Sequence, residues 1–306
     1  ARWACTAKRV SASFSYASGK QRSSRSISGN TMDDRKIIPD GIERSWLGRY
    51  NRAHTDLREF IERAERAGEI IHAKGADPDL EIGALSEIIA HKRSEAPAVI
   101  FEEMKGYPKG FRAISGLSNS ARRLALTLGF DDPKSGIDVV QAYRDRMKHH
   151  RPIPPKVVPE GPVFENVDRD DGVNLWKFPV PKLHEADGGR YIGTEDLVIM
   201  RDPESDWVNI GTYRSMVQDE KSVGLWMSPG KHGRQIREKY FKQGKPCPVL
   251  ISCGHDPLLF LAAGNELKFG FSEYDYAGGH RGEPIEVVKS EEGVIRIYDV
   301  LFDYNV

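Results

Sequence analysis

The chain has 306 residues, and its 45 lysines and arginines balance 45 aspartates and glutamates, so its formal net charge is zero. With 39% hydrophobic and 29% charged residues it has the composition of a soluble globular protein, and its longest apolar runs, such as residues 257–263, are far shorter than the roughly 20 residues that span a bilayer. Three cysteines without a C-x-x-C pair exclude a disulfide framework and a cysteine zinc site, which favours a reducing, cytoplasmic location.

The zero net charge is the sum of two unequal parts. Residues 1–54 carry 11 basic and 4 acidic residues, whereas residues 55–306 carry 34 basic and 41 acidic residues. An acidic body lacks the basic face that nucleic acids require, so we expect neither a nucleic-acid nor a membrane partner. Residues 1–31 contain eight serines, six basic residues and no acidic residue. We therefore predict that residues 1–54 are a disordered leader: either a transit peptide, which would make the location mitochondrial, or translated sequence upstream of a start at Met32.

Residues 55–150 alternate between helical and extended patterns. Asp56 has the character of an N-cap, and Leu57, Phe60, Ile61 and Ala64 then recur at helical spacing. Further helices are predicted over residues 80–92, 120–128 and 137–148, with strands over 69–73, 98–102 and 111–115. This alternation predicts an N-terminal α/β domain.

Five prolines in residues 151–162 predict a stiff linker over residues 151–165. From residue 166 to 306 the pattern is mostly extended. Strands are predicted over residues 174–180, 196–201, 207–218, 222–227, 249–253 and 285–289, with one clear helix over 232–243. Short strands joined by Gly- and Pro-rich turns predict an antiparallel sheet or a small barrel, followed by an atypical tail over residues 292–306.

Polar residues interrupt the extended segment WVNIGTYRSMVQD, which begins at Trp207. Side chains alternate along a strand, so Asn209 and Gly211 face one side while Thr212 and Arg214 face the other. A bulge at Gly211 would bring Asn209 and Arg214 around one cavity, and the glycine would let the backbone approach a ligand. The alternative is an edge strand whose polar side chains are solvated.

Two further segments carry polar groups. Lys231 and His232 come directly before a predicted helix, where free N–H groups form an anion site; the alternative is a solvated helix start. Residues 270–279 read as a Gly-bounded loop that offers Glu273 and Asp275. Asn209, His232 and Glu273 together form a mixed nitrogen and oxygen ligand set suited to manganese or magnesium.

These segments, in this order, resemble the UbiD-type decarboxylases, which use prenylated FMN. The likeness rests on DLREFIERAERAGEI (residues 56–70), GGRYIGTEDLVIMRDP (188–203), NIGTYRSMVQD (209–219), SPGKHGRQI (228–236) and SEYDYAGGHRGEPIEVVKSE (272–291). The resemblance covers about residues 55–291. It implies an α+β or α/β protein in which the N-terminal α/β domain precedes an FMN-binding split β-barrel domain, incomplete at the C-terminus.

The resemblance also implies a set of site residues. Asn209, His232 and Glu273 would bind Mn²⁺ that bridges to the cofactor phosphate, with K⁺ or Na⁺ as further candidate ions. Arg214 would be the catalytic residue that grips the substrate carboxylate. The residues implied to contact prenylated FMN are Thr194, Asn209, Ile210, Gly211, Thr212, Tyr213, Arg214, Trp226, Met227, Ser228, Lys231, His232 and Glu273.

The implied activity is the reversible, non-oxidative decarboxylation of an aromatic or α,β-unsaturated acid through a covalent adduct with the cofactor. A flavin prenyltransferase would supply the cofactor, and full-length members would form homodimers or hexamers. The family's acidic proton donors would lie beyond residue 306, so the alternative is a catalytically incomplete fragment that binds only flavin phosphate and metal. A third possibility is an FMN-dependent reductase. His184, in KLHEADGGRY, is either near the substrate or a structural turn residue.

Overall fold

The computed structural model describes residues 11–13, 54–92, 96–130, 133–289, 294–297 and 301–304. In this part of the chain the α-helices are α1 (Leu57–Arg66), α2 (Glu81–Lys92), α3 (Ala121–Leu128), α4 (Gly136–His149), α5 (His232–Lys242), α6 (Pro257–Gly264) and α7 (Glu273–Arg281). The strands are β1 (Ser11–Ser13), β2 (Ile70–Lys74), β3 (Ala98–Glu102), β4 (Arg112–Ser115), β5 (Lys156–Val157), β6 (Asn166–Arg169), β7 (Arg190–Gly193), β8 (Leu197–Arg201), β9 (Val208–Gly211), β10 (Ser215–Val217), β11 (Val223–Leu225), β12 (Leu250–Ser252), β13 (Glu286–Val287), β14 (Val294–Ile297) and β15 (Leu301–Tyr304).

The N-terminal half is the mixed α/β unit that the periodicity predicts. Strand β2 runs parallel to β3, β3 runs antiparallel to β4, and β15 adds to the edge at β4. Helix α1 begins after Asp56, whose side chain accepts the N–H of Glu59 at 2.9 Å. Its four predicted apolar residues are all buried, where they pack with Ile100 and Ile114 of the sheet. The helix predictions for α1 to α4 are confirmed.

A fully buried arginine holds this unit together. Arg123 of α3 is 0% exposed, and its guanidinium donates to the carbonyls of Gly116 at 3.1 Å and Ala96 at 2.6 Å and to Glu69 Oε2 at 2.9 Å. The side chain of neighbouring Arg122 is 41% exposed and reaches the other Glu69 oxygen at 3.1 Å. One buried cation therefore connects α3 with the residues that precede β2 and β3.

We predict that Arg123→Met lowers the free energy of unfolding by about 3–5 kcal/mol, because it removes the buried cation from the Glu69 carboxylate and a donor from several buried carbonyls. Arg122→Ala is the matched control: it removes a half-exposed partner of the same carboxylate and is expected to cost less than about 1 kcal/mol. Urea denaturation of both variants measures the difference. Equal losses would contradict the central role of Arg123.

The second half of the chain contributes to two larger sheets, besides the two-stranded parallel pairing of β5 with β13. Strand β8 lies between β9 and β12 and is antiparallel to both, and the complete order of this sheet is β6-β14-β1-β12-β8-β9. The other sheet has the order β11-β10-β7 and is antiparallel throughout. The predicted antiparallel pairing is thus present at β7 to β12. No helix in the part of the chain that the structure describes is long and apolar enough to cross a membrane.

The prediction of one continuous strand over residues 207–218 is wrong. Strand β9 ends at Gly211, and β10 begins at Ser215 in the other sheet. The ring of Tyr213 turns back against Gly211, so the chain cannot continue in the pleat of β9. Residues 212–214 therefore form a bridge between the two sheets, which we call the bridge segment.

Three other sequence predictions fail for local reasons. Residues 174–180 form no strand but a short 3-10 turn, because the side chain of Asn174 accepts the N–H of Trp176 at 2.9 Å and prolines follow. The supposed loop over residues 270–279 contains helix α7, which Ser272 caps. Helix α6, capped by Asp256 and opened by Pro257, is a second helix that the analysis missed.

Gly278 and Gly279 of α7 allow another part of the backbone to pack closely against the helix. A Cβ on Gly279 would collide with the carbonyl of Arg151, and one on Gly278 with the carbonyl of Ile153. The N–H of Ile153 donates to the carbonyl of Asp275 at 3.0 Å. The start of the Pro-rich segment therefore packs directly on α7. The predicted leader lies outside the described residues apart from β1 and His54, and its nature stays a prediction.

Candidate functional site

The side chain of Tyr213 lies between two glycines from distant parts of the chain. A Cβ on Gly211 would lie 2.5 Å from Tyr213 Oη, and a Cβ on Gly233 would lie 2.8 Å from the same atom. The phenol oxygen accepts the N–H of Gly233 at 3.2 Å. A single ring thus joins the end of β9 to the first turn of α5, where His232 is the first helical residue.

The other two predicted ligands lie next to the same ring. Asn209 is buried on β9, and its side chain is close enough to the Tyr213 phenol to affect its pKa. Glu273, the first residue of α7, accepts the N–H of Ile210 with Oε2 at 2.7 Å, and its charge also acts on Tyr213. Helices α5 and α7 both pack against β9. Asn209 and Glu273 therefore lie beside Tyr213, and the N–H that the phenol accepts belongs to the residue after His232, although the three predicted ligands are 23 and 41 positions apart.

The electrostatics of this cluster favour an added cation. Burial raises the pKa of Glu273 to about 7, although the hydrogen bond from Ile210 opposes the shift. Within the described residues no lysine or arginine pairs with Glu273. Burial also lowers the pKa of His232, with Lys231 as a second cause, which favours the neutral imidazole that binds metals.

A further polar atom lacks a protein partner here. The amide Nδ2 of Asn209 is buried and makes no hydrogen bond within the described chain. Among the described residues, no three His, Cys, Asp or Glu side chains cluster in a way that could hold a metal. The predicted set contains only two residues of those types, His232 and Glu273, and its third member is an asparagine.

Two aromatic rings fix the imidazole of His232. Trp207 and Phe269 each lie with their ring centroids 5.3 Å from it, both in edge-on geometry. Lys239 in turn lies over Phe269 at 5.4 Å from the centroid. Phe269 escaped the sequence analysis because nothing in its own segment indicates that it faces His232. Such packing limits the rotation of the ring before any ligand arrives.

Arg214 lies in the middle of the bridge segment, exposed between the buried Tyr213 and Ser215. Its carbonyl accepts the N–H of Trp226 at 3.3 Å, and its guanidinium has no partner within the part of the chain that the structure describes. The indole of Trp226 is 69% exposed. The backbone hydrogen bond therefore places Arg214, with its unpaired guanidinium, next to Trp226, with its exposed indole.

The remaining predicted cofactor residues differ in exposure. Lys231 is exposed at the start of α5 and pairs with Glu266 at 3.4 Å. Ile210 and Met227 are buried, and Thr194, Thr212 and Ser228 are half-buried. Gly211 was expected to let the backbone approach a ligand, but the structure gives another reason for it: the Tyr213 ring occupies that space.

His184 lies in an exposed turn. Its backbone N–H donates to Asp187 Oδ2 at 3.0 Å, and its carbonyl accepts the N–H of Asp187 at 3.1 Å. Its ring is about half exposed. These contacts favour the structural interpretation of this histidine.

Asp196 is a further buried residue that was not among the predicted site residues. It immediately precedes β8, is 1% exposed, and contacts the hydroxyl of Ser215, the residue that follows Arg214. The available signal was the tripeptide TED within GGRYIGTEDLVIMRDP, which places an acidic residue directly before a buried strand.

Comparison with known proteins gives two family matches. Residues 61–143 match the family model of the UbiD N-terminal domain, described as the 3-octaprenyl-4-hydroxybenzoate carboxy-lyase N-terminal domain. Residues 156–299 match the model of the UbiD domain, described as the 3-octaprenyl-4-hydroxybenzoate carboxy-lyase Rift-related domain.

Curated relatives carry the names of decarboxylases. The pyrrole-2-carboxylic acid decarboxylase of Pseudomonas aeruginosa is 36% identical over 252 residues, which are 79% of this chain and 50% of the relative. The phenolic acid decarboxylase of Sedimentibacter hydroxybenzoicus is 34% identical over 263 residues, covering 82% of this chain and 52% of the relative. The chain thus spans about half the length of the curated relatives it matches.

Solved structures agree with these matches. The closed form of vanillic acid decarboxylase from Sedimentibacter hydroxybenzoicus aligns with a TM-score of 0.73 and 33% identity, over 78% of this chain and 51% of that one. An evolved dimeric form of the UbiD-class enzyme HmfF from Pelotomaculum thermopropionicum, in complex with prFMN, aligns with a TM-score of 0.68 and 25% identity, over 78% of this chain and 53% of that one.

We predict that Gly211→Ala lowers the free energy of unfolding by about 1–3 kcal/mol, because the new methyl group collides with the Tyr213 ring. Gly264→Ala is the matched control, since a Cβ there meets nothing within 4 Å and the residue ends a helix without a positive φ. This control should be neutral or stabilise by up to about 1 kcal/mol. Thermal unfolding compares them, and equal behaviour would contradict the packing of Tyr213.

Proposed function

The chain belongs to the UbiD family, and from that premise we propose that it binds prenylated FMN and a divalent metal ion, Mn²⁺, for the reversible, non-oxidative decarboxylation of an aromatic or α,β-unsaturated carboxylic acid. The observation that carries the proposal is that Tyr213, the residue before Arg214, contacts Asn209, lies in the field of Glu273 and accepts the N–H that directly follows His232. Because the matched relatives are about twice as long, activity, substrate and partners are all part of this proposal.

The chemistry of the donor set fits the metal. An amide oxygen, a carboxylate oxygen and an imidazole nitrogen form the kind of hard and borderline ligand set that Mn²⁺ accepts. A buried Glu273 without a lysine or arginine partner fits a site where a cation supplies the missing charge. Asn209, His232 and Glu273 would hold the ion, and K⁺ or Na⁺ would be further occupants of the site.

The residues around the cluster fit a flavin phosphate. His232 is the first residue of α5, where backbone N–H groups and the helix dipole favour an anion, and exposed Lys231 adds a positive charge. The exposed ring of Trp226 offers a flat apolar surface for a planar ligand. We propose that these residues, with Thr194 and the segment from Ile210 to Arg214, contact the cofactor, and that the surrounding strands form the family's split β-barrel.

Arg214 has the properties of a substrate anchor. A guanidinium donates two parallel hydrogen bonds to one carboxylate, which fixes both the position and the orientation of the leaving group. Prenylated FMN, when bound, supplies the electron sink that the loss of CO₂ requires. The role of the protein is then to hold the carboxylate against that centre and keep it oriented. We assign no proton donor among the acidic residues of this chain.

A second candidate function is binding of flavin phosphate and metal without turnover; the turnover measurement below distinguishes the two. An FMN-dependent reductase is less well supported, because the similar structure with a bound prenylated flavin is a UbiD-class enzyme. The proposal includes supply of the cofactor by a flavin prenyltransferase, a homodimer or hexamer for the full-length protein, and a cytoplasmic location, or a mitochondrial one if the leader is a transit peptide.

We predict that Arg214→Ala lowers kcat/KM for decarboxylation by about a hundredfold, because the substrate loses two charge-assisted hydrogen bonds, and that Arg214→Lys restores little of it. Arg201→Ala is the control, since Arg201 is exposed and pairs only with Asp206 at 3.3 Å in the described chain. Protein co-produced with a flavin prenyltransferase is assayed by CO₂ release. Absence of turnover in the unsubstituted chain would favour the binding-only alternative.

We also predict that His232→Ala and Glu273→Gln each weaken Mn²⁺ binding by at least about tenfold, because each removes one ligand. His184→Ala is the control: it removes an exposed histidine from a turn on another segment. Isothermal titration of Mn²⁺ into the FMN-loaded chain measures the affinities. Unchanged affinity in both ligand variants would contradict the proposed metal site.

A further inference from the structure

Asp196 is buried, and it contacts the hydroxyl of Ser215, the residue that follows Arg214. Its Oδ2 lies within hydrogen-bond distance of Ser215 Oγ, and its Oδ1 is buried without a partner in the described chain. A Cβ on Gly193 would lie 2.5 Å from the Cβ of Asp196, so the chain packs closely on both sides of this carboxyl group. The described residues offer Asp196 no lysine or arginine.

The hydroxyl of Ser215 has two oxygen neighbours. Besides Asp196 Oδ2, the carbonyl of Tyr213 lies 3.2 Å from Ser215 Oγ. A serine hydroxyl carries one proton, whereas a carbonyl oxygen accepts only and an ionised carboxylate accepts only. The Ser215 proton alone can serve both oxygens only as a shared three-centre bond, whereas two full hydrogen bonds form when the carboxyl group of Asp196 carries a proton and donates it to Ser215. Ser215 then donates its own proton to Tyr213.

We propose that Asp196 is a positioning residue for Arg214: as a neutral carboxylic acid it donates to Ser215, which donates to the carbonyl of Tyr213, and this relay fixes the backbone on both sides of the arginine. The proposal rests on the proposed function only for the role of Arg214 itself. It assigns Asp196 and Ser215 no contact with substrate or cofactor.

The burial of Asp196 supports the neutral form. Desolvation raises the pKa of its carboxyl group to about 8, and the contact with Ser215 offsets only part of that shift. A carboxylic acid with one donor bond and no cation is stable in such surroundings, whereas a carboxylate there would be an unpaired buried charge.

A second aspartate at the other end of β8 behaves in the opposite way. Asp202 directly follows the strand and is equally buried, but Lys239 Nζ lies 3.0 and 2.8 Å from its two oxygens. Burial alone would raise the pKa of Asp202, yet the hydrogen bonds from Lys239, Glu204 and Ser205 hold it below its usual range. Asparagine therefore keeps the charge and hydrogen bonding proposed for Asp196, whereas at position 202 it removes the negative charge that pairs with Lys239.

The bridge segment shows why Arg214 needs such support. It belongs to neither sheet, and the register of β10 against β7 shifts between Ser215 and Met216. The backbone after Arg214 is held by the pairing of Ser215 with Leu225 and Gly193. Within the bridge segment, the Tyr213 carbonyl contacts the Ser215 hydroxyl and the Arg214 carbonyl accepts the N–H of Trp226. Loss of the relay removes the contact with the Tyr213 carbonyl.

The test uses Asp196→Asn, Asp196→Ala and Ser215→Ala in the FMN-loaded chain, with Asp202→Asn as the matched control. Benzoate is the probe of Arg214, and its affinity is measured by isothermal titration. Hydrogen–deuterium exchange of residues 213–217 reports the backbone independently of any ligand. Each single variant is repeated in an Arg214→Ala background.

We expect Asp196→Asn to keep benzoate affinity within about twofold, since its amide N–H donates to Ser215 as the acid does. Asp196→Ala and Ser215→Ala should each lose roughly tenfold in affinity and expose residues 213–217 to exchange. In the Arg214→Ala background that loss of affinity should vanish, because the effect acts through the arginine. Asp202→Asn should lower Tm without changing benzoate binding.

Two results would overturn the proposal. One is wild-type affinity and exchange in Ser215→Ala, a mild change that decides the question even if Asp196→Ala does not fold. The other is Asp196→Asn behaving like Asp196→Ala, which would mean that the ionised form is the functional one. If the unsubstituted chain does not bind benzoate, the proposed function fails, and exchange alone decides the positioning role: protection kept in Asp196→Asn and lost in Ser215→Ala supports it.

Discussion

The packing of the Tyr213 ring between Gly211 and Gly233 is the contact on which the candidate site depends. It ends β9, starts the bridge segment, and joins β9 to the first turn of α5 through the hydrogen bond from Gly233. It adds a hydrogen bond to the packing of α5 on β9 and to the contact of His232 with Trp207. This packing requires glycine at both positions, because a side chain at either one would occupy the space of the ring.

Five of the six buried carboxylates in the described part of the chain, all except Glu195, fall into two groups with different surroundings. Glu69, Asp202 and Asp256 have cationic or histidine partners: Arg123 for the first, Lys239 for the second, and Arg281 and His54 for the third. Glu273 and Asp196 have no lysine or arginine partner within the described residues, and burial raises the pKa of both. The ion pairs of the first group connect different elements of the fold. The second lies beside the bridge segment, where a metal ion or a bound proton fits the electrostatics.

Local signals in the sequence were sufficient for much of the architecture but not for the bridge segment. Helices such as α1 follow from an N-cap and a 3.6-residue period, both of which act within a few residues. Residues 212–214 have strand-like neighbours on both sides, and the Tyr213 ring that breaks the strand against Gly211 is held by a long-range contact with Gly233. Gly278 and Gly279 made the segment of α7 read as a loop in the sequence. These glycines are needed because the backbone of residues 151–153 packs directly on the helix.

The candidate ligands were indicated by residue type and by resemblance, since their separations along the chain carry no local signal. Their proximity depends on α5 and α7 packing against β9, which no short-range pattern predicts. Phe269 and Asp196 were missed for the same reason: each acts on a residue far away in sequence.

Pulsed electron paramagnetic resonance of Mn²⁺ in the FMN-loaded chain, with ¹⁵N-labelled histidine, tests the central claim most directly. The account predicts coupling of the ion to one imidazole nitrogen, which disappears in His232→Gln while FMN stays bound. No histidine coupling in the unsubstituted chain, or a coupling that persists in His232→Gln, would show that the metal does not bind at the proposed set of Asn209, His232 and Glu273.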